Sequence, residues 1–145
     1  MRLTTFTDYS FRVLVYLTVS GDEHSTIREI AERYGISRNH VMKVVQVLSQ
    51  RGYVISQRGK NGGLRLNKPP AEISIGTLVR EMENDLALVE CLGDNNQCIL
   101  QPSCELQGIL SEALGAFFAV LDAYTLEDVL HGRRCAELVK ILNVN

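Results

Sequence analysis

The sequence predicts a mainly α-helical chain with a small β-hairpin wing, a winged helix-turn-helix followed by one long helix suited to dimerisation. Three observations predict it. Two capped helical segments meet at Gly35, a basic glycine-rich turn at 58–63 follows them between two β-prone runs, and residues 103–123 are apolar around more than one face.

Residues 7–19 read as the first helix, with Thr7 as N-cap and Asp8 in the first turn, where negative charge suits the helix dipole. Phe11, Leu14, Val15 and Thr18 share a face, and Gly21 supplies a stop. The second helix, 26–34, opens on the capping box Thr26-Ile-Arg-Glu29 and closes at Gly35. Ser37 caps the third, from Arg38 to about Ser49, with Val41, Val44, Val45 and Leu48 at helical spacing. Ala31 is small where the two would cross, and Ile36 and Val41 fill the space between them, as a helix-turn-helix requires.

Tyr53–Gln57 and Leu64–Leu66 read as strands around Arg58-Gly-Lys-Asn-Gly-Gly63. A hairpin directly after a recognition helix makes a wing. Arg58 and Lys60 charge its tip, while Asn61, Gly62 and Gly63 let its backbone approach a phosphate or enter a minor groove. A nucleotide-binding loop is excluded, because no helix follows and no Walker-type Gly-Lys-Ser/Thr occurs. Pro69-Pro70 ends the wing, and Ser74 caps a helix to about Glu83 carrying Leu78, Val79 and Met82. The long helix runs from near Ser103 to about Ala123 with Leu106, Ile109, Leu110, Leu114, Phe117, Phe118, Val120 and Leu121. Little core is available to absorb so many apolar faces, which implies a homodimer seam. Thr125-Leu-Glu-Asp128 caps a short helix ending near His131-Gly132, and 133–145 reads as a tail.

Charge divides the chain in the same place as the motifs. Residues 1–70, the expected DNA-binding domain, carry eleven Lys/Arg against five Asp/Glu; residues 71–145, the expected effector and dimerisation region, carry four against twelve. Between Glu32 and Glu72 there are eight basic residues and no acidic one. Such segregation fits a nucleic-acid-binding half joined to one that avoids it. The apolar run at Val13–Val19 is too short to span a bilayer, and no signal peptide is visible, so a cytoplasmic protein with reduced thiols is expected. Catalysis is not expected: there is no Ser/His/Asp set, carboxylate pair or His-Glu-x-x-His motif.

Cys91, Cys98 and Cys104 lie within fourteen residues, separated by six and then five others, among Gly93, Asp94, Asn95, Asn96 and Pro102. A turn-rich loop can wrap a metal centre. Structural zinc favours paired ligands two to four residues apart, and these gaps do not match. Wider gaps suit an iron–sulfur cluster, whose irons spread their thiolate ligands. Three thiols leave one position for another ligand, and spacing alone does not choose among Cys135, His131, Asp8 and a residue of a partner subunit.

The chain resembles the iron–sulfur winged-helix repressors that include the cluster-assembly regulator IscR and the nitric-oxide sensor NsrR. The resemblance runs from Leu3-Thr-Thr-Phe-Thr-Asp8-Tyr through Ser37-Arg-Asn-His40 and Arg58-Gly-Lys-Asn-Gly-Gly-Leu-Arg-Leu66 to the three cysteines. Lys60-Asn61 in the wing, and no histidine between Cys104 and His131, look like the NsrR type rather than the IscR type. The resemblance implies a homodimeric repressor of double-stranded operator DNA that senses nitric oxide through a cluster, four-iron favoured over two-iron, whose nitrosylation releases DNA. It implies Cys91, Cys98 and Cys104 as ligands, with Asp8 contributed across the dimer as the fourth. In that scheme Asn39 and His40 read base edges, Arg38, Lys43, Arg58 and Lys60 hold phosphates or minor-groove edges, and Ser37 with the wing-tip Asn61, Gly62 and Gly63 completes the DNA-binding set. The alternatives are an iron–sulfur-status or redox-responsive regulator of the same family, a zinc-stabilised winged helix, and a small electron-transfer protein with a basic face.

Overall fold

A computed structural model of the chain describes residues 2–21, 23–57, 59 and 62–144. Helix α1 spans Thr5–Val19, α2 Ile27–Tyr34 and α3 Arg38–Gln50; strands β1 (Val54–Gln57) and β2 (Gly63–Leu66) follow. Then come α4 (Ile75–Met82), α5 (Glu105–Asp122), α6 (Leu126–Val129) and α7 (Arg133–Leu142). This is the expected winged helix-turn-helix with a long helix behind it.

Local capping sets most boundaries. In the Thr26 box the threonine hydroxyl accepts the Glu29 N–H at 3.2 Å, and the Glu29 carboxylate accepts the Thr26 N–H at 2.7 Å. Gly35 then takes φ +63°, a left-handed turn that a side chain would resist, and releases the chain into α3. Ser37 and Ser74 cap α3 and α4 through the N–H groups of His40 and Thr77. Strand β1 pairs antiparallel with β2, Val54 opposite Leu66 and Gln57 opposite Gly63. Ser25 adds a third edge: it exchanges backbone hydrogen bonds with Leu64 at 2.7 and 3.1 Å, fixing the wing to the segment before α2.

Two expectations need correction. The first helix starts earlier than expected, because Thr4 rather than Thr7 is its cap. Its deepest face is Val13, Leu14, Tyr16 and Leu17, with Phe11, Val15 and Thr18 only partly covered. The reason is its place: α1 touches α3, β2, α4 and α7, so apolar periodicity along it does not point one way. The second concerns 133–145. Arg133–Leu142 is a helix, in which Leu138 and Leu142 lie four residues apart and pack into the core against α1. Arg33 of α2 donates to the Asn143 carbonyl at 3.2 Å, pinning the end of α7 to the helix-turn-helix.

The core is one cluster that crosses residue 70. Leu14 and Leu17 of α1, Ile30, Val41, Leu48, Ile73, Leu78 and Leu126 are at most 1% exposed. Each such side chain contributes on the order of 1.5–3 kcal/mol of burial. Helix α5 joins this body at its C-terminal end. Arg80 of α4 donates two hydrogen bonds to the Asp122 carboxylate, at 2.6 and 2.8 Å, and lies 4.1 Å from the centre of the Phe118 ring. Gly76 makes room for this contact, since a Cβ there would come within 3.0 Å of the Asp122 backbone nitrogen. Phe118 is buried, whereas Leu106, Ile109 and Val120 of the same helix stay more than half exposed.

Candidate functional site

Two sites lie at opposite ends of one helix-mediated connection. The first is the outer face of α3 with the wing. Val41, Val44, Val45 and Leu48 bind α3 to the core, which turns Asn39, Lys43 and their neighbours to solvent. Arg38 is exposed but bound within the protein, donating to Glu32 at 3.1 Å, and Arg28 donates to the same carboxylate at 2.8 Å. These two guanidinium groups hold the Glu32 carboxyl below its ordinary pKa range, so the acid stays charged and anchors the start of α3. Ser37 is engaged as the cap, and His40 sits on the flank, its ring centre 6.0 Å from that of Tyr9 in α1. In the wing, the Gly62 N–H donates to the Gly59 carbonyl at 2.9 Å. Gly63 has a packing reason to be glycine: a Cβ would lie 2.9 Å from the Ser25 carbonyl oxygen. Arg58, Lys60 and Asn61 lie outside the described residues.

The second site is the loop between α4 and α5. Cys91 lies in a 3₁₀ turn, Glu90–Leu92; Cys98 follows a turn in which its N–H donates to the Asn96 side chain at 2.9 Å; Cys104 stands just before the first residue of α5, its thiol making no capping hydrogen bond. All four cysteines of the chain are free and partly exposed. The loop's own bonds are short-range, such as Gln97 N–H to Glu90 at 2.9 Å. Gln107, in the first turn of α5, donates to the Cys91 carbonyl at 2.9 Å and ties the two ends of the loop together. Among the described residues no three His, Cys, Asp or Glu side chains are gathered closely enough to hold a metal. By the chemistry of the donor set, three free thiols on a turn-rich segment fit an iron–sulfur cluster.

Asp8 stands on α1, half exposed, with its carboxylate 2.9 Å from Arg12. Arg12 lies over the rings of Tyr9 and Tyr34, at 5.7 and 5.8 Å from their centres, and Tyr34 donates to the Arg12 carbonyl at 2.9 Å. Burial pushes the Tyr34 hydroxyl up to about 12, so it remains a donor across the working range of the protein. The residues that connect α1 to the cysteine loop were not evident from the sequence. Glu83, directly after α4, accepts from the Thr4 N–H at 2.7 Å, the Thr4 hydroxyl at 3.1 Å and the Thr7 hydroxyl at 2.5 Å. Thr7 is fully buried. One carboxylate thus fastens the helix end bearing Asp8 to the point where the loop begins. No motif marks Glu83, and only its position just past a helical run sets it apart.

Similarity to known proteins runs along the chain. Residues 3–132 match the Rrf2 family model, described as an iron-dependent transcriptional regulator. The HTH-type transcriptional regulator NsrR of Bacillus subtilis strain 168 is 47% identical over 146 residues, covering 99% of each chain. Its counterpart in Bacillus licheniformis is 50% identical over 132 residues, 90% of this chain and 92% of the relative. Among solved structures, the global cysteine regulator CymR of B. subtilis superposes with a TM-score of 0.73 at 26% identity, covering 89% of this chain and 95% of that one. IscR of T. potens gives 0.72 at 25% identity, over 90% and 86%.

Proposed function

The chain belongs to the Rrf2 family of iron-dependent transcriptional regulators, as an NsrR-type member, and from that premise we propose that it is a homodimeric repressor sensing nitric oxide. Operator DNA is met by α3 and the wing, and the effector by an iron–sulfur cluster on the cysteine loop. The observation that carries this reading is the Glu83 link. It joins a loop of three free thiols to the end of α1 whose Tyr9 packs on His40 of the recognition helix.

Cys91, Cys98 and Cys104 would hold the cluster, with Asp8 of the partner subunit as the fourth ligand. When bound, the cluster supplies iron that can take nitric oxide as a ligand. The chain's own residues do the rest. Asp8 has an alternative partner in Arg12, so a carboxylate drawn off that guanidinium is held weakly and returns to it readily. Arg12 in turn sits on Tyr9 and Tyr34, so the choice made by Asp8 reaches the flank of α3 through side chains in contact. The exposed Leu106, Ile109 and Val120 of α5 provide the apolar seam for a second copy, which sets the separation of two recognition helices. Half-sites one turn of B-DNA apart require about 34–36 Å between them.

Anaerobic purification followed by iron, sulfide and visible-absorbance measurement tests the cluster, with a DNA footprint on the loaded and the metal-free protein. Iron and acid-labile sulfide in a coloured protein, with a footprint that depends on them, are expected. A colourless zinc protein, or a footprint indifferent to the cluster, would overturn the proposal.

A further inference from the structure

The outward face of α3 carries a pattern that its role in the core does not explain. Asn39, Met42, Lys43, Gln46 and Gln50 share one face, Met42 and Lys43 lying three and four residues after Asn39, and Gln46 and Gln50 continuing at the same spacings, opposite the buried Val41, Val44, Val45 and Leu48. All five are exposed. Among the described residues of α3, Met42 is the large apolar side chain left open, at 50% exposure, while its core-facing neighbours are 0–5% exposed. One exposed apolar residue is ordinary on a protein surface. This one stands at the centre of a face that has no acid and holds Lys43, within a stretch from Glu32 to Glu72 that has no acid either. Charge complementarity therefore names the occupant as a nucleic-acid groove.

Two of the sequence-expected DNA contacts at the start of α3, Arg38 and His40, are turned to other tasks. Arg38 is paired with Glu32, and His40 leans on Tyr9. Met42 and Gln46, neither of them engaged by another side chain through a hydrogen bond or ion pair among the described residues, hold the middle of the face. The major groove offers each a matching group: the thymine methyl for an apolar side chain, and the N6/N7 edge of adenine for a carboxamide. Resting on the DNA-binding reading above, we infer that Met42 and Gln46 determine operator sequence, Met42 by contact with a thymine methyl and Gln46 by paired hydrogen bonds to adenine. Lys43 between them serves guanine or phosphate, and Gln50, in the last turn, lies beyond the part of a recognition helix that usually reaches bases.

The test begins with selection of bound sequences from a random duplex pool by the full-length, cluster-loaded protein. Each thymine of the selected half-site is then replaced by uracil, which removes only the methyl. At one thymine per half-site, uracil should weaken binding by wild type roughly fourfold, the value of one buried methyl. The same replacement should have no effect on Met42→Ala, and Met42→Leu should restore the sensitivity. Gln46→Ala should lose roughly tenfold of its preference for adenine at one position while keeping its affinity for random DNA. Failure to select any sequence removes the DNA-binding reading itself. A selected sequence with uracil penalties equal in wild type and Met42→Ala, or adenine preference unchanged in Gln46→Ala, overturns the assignment of these residues. Both side chains are exposed, so unchanged melting of the variants is expected and confirms that folding is not what is being read.

Discussion

Replacing Glu83 by alanine removes the acceptor shared by three donors, and the structure says which of them matters. The Thr4 N–H and hydroxyl are near solvent and regain water. The Thr7 hydroxyl is fully buried and retains only the Thr4 hydroxyl, 3.2 Å away. An orphaned buried hydroxyl costs about 1–3 kcal/mol, and the remaining contact puts this one near the lower half of that range. Glu83→Gln keeps an oxygen in place and should cost well under about 1 kcal/mol. With a urea dependence of about 1–3 kcal/mol per molar, Glu83→Ala should lower the unfolding midpoint by roughly 0.5–1 M. The assay is urea unfolding of metal-free protein followed by circular dichroism, at matched protein concentrations because the midpoint of the proposed dimer would depend on them. Adding Thr7→Val to Glu83→Ala should recover most of the loss, since the orphaned group is then gone. Equal midpoints for the alanine and glutamine variants, or no recovery with valine, would refute the assigned role of Glu83.

Gly76→Ala forces a Cβ to within 2.9 Å of the Asp122 carboxyl carbon and 3.0 Å of its backbone nitrogen, so α4 and α5 must separate. Over-packing of this kind costs about 1–3 kcal/mol; a thermal melt should show the drop, and loss of the Arg80 contact should shorten cluster lifetime. Asp8→Ala should leave a cluster that assembles but decays faster in air, as followed by visible absorbance; an unchanged decay and unchanged DNA release would remove Asp8 from the ligand set. Arg80 holds the Asp122 carboxyl below its usual range through their hydrogen bonds. Its contribution is therefore complete above the unfolded aspartate value of about 3.9 and fades as pH falls through the lowered folded value. Urea midpoints of wild type and Asp122→Asn should differ by a constant amount near neutrality and converge in acid.

What could be read from sequence was what depends on three or four neighbouring residues. Thr26 with Glu29, Ser37, Ser74, and Thr125 with Asp128 all cap helices as expected, because a hydroxyl three residues before an amide meets it in any helix start. The valine stripe of α3 and the hairpin after it were equally local. Contacts across long separations were not legible. Glu83 meets Thr7 from 76 residues away, and nothing in either neighbourhood names the other. The inner face of α1 is hidden in the sequence for a related reason: a helix packed on several sides loses the one-sided periodicity that marks an amphipathic one. Helix α7 reads as a tail in the sequence because Gly132 and two arginines precede a short apolar set, and its stability comes from docking Leu142 on α1 rather than from its own length. At the cysteine loop, sequence supplied the donors and their spacing, whereas Gln107 as the strap across its ends required the fold.

The most direct measurement adds nitric oxide to the cluster-loaded protein bound to its selected operator duplex, under anaerobic conditions, and follows DNA release and cluster absorbance together. Stoichiometric loss of the absorbance with parallel release of DNA is expected, and Cys91→Ala protein should show neither the absorbance nor the response. Retained DNA binding after the cluster absorbance has changed would contradict a nitric-oxide-switched repressor.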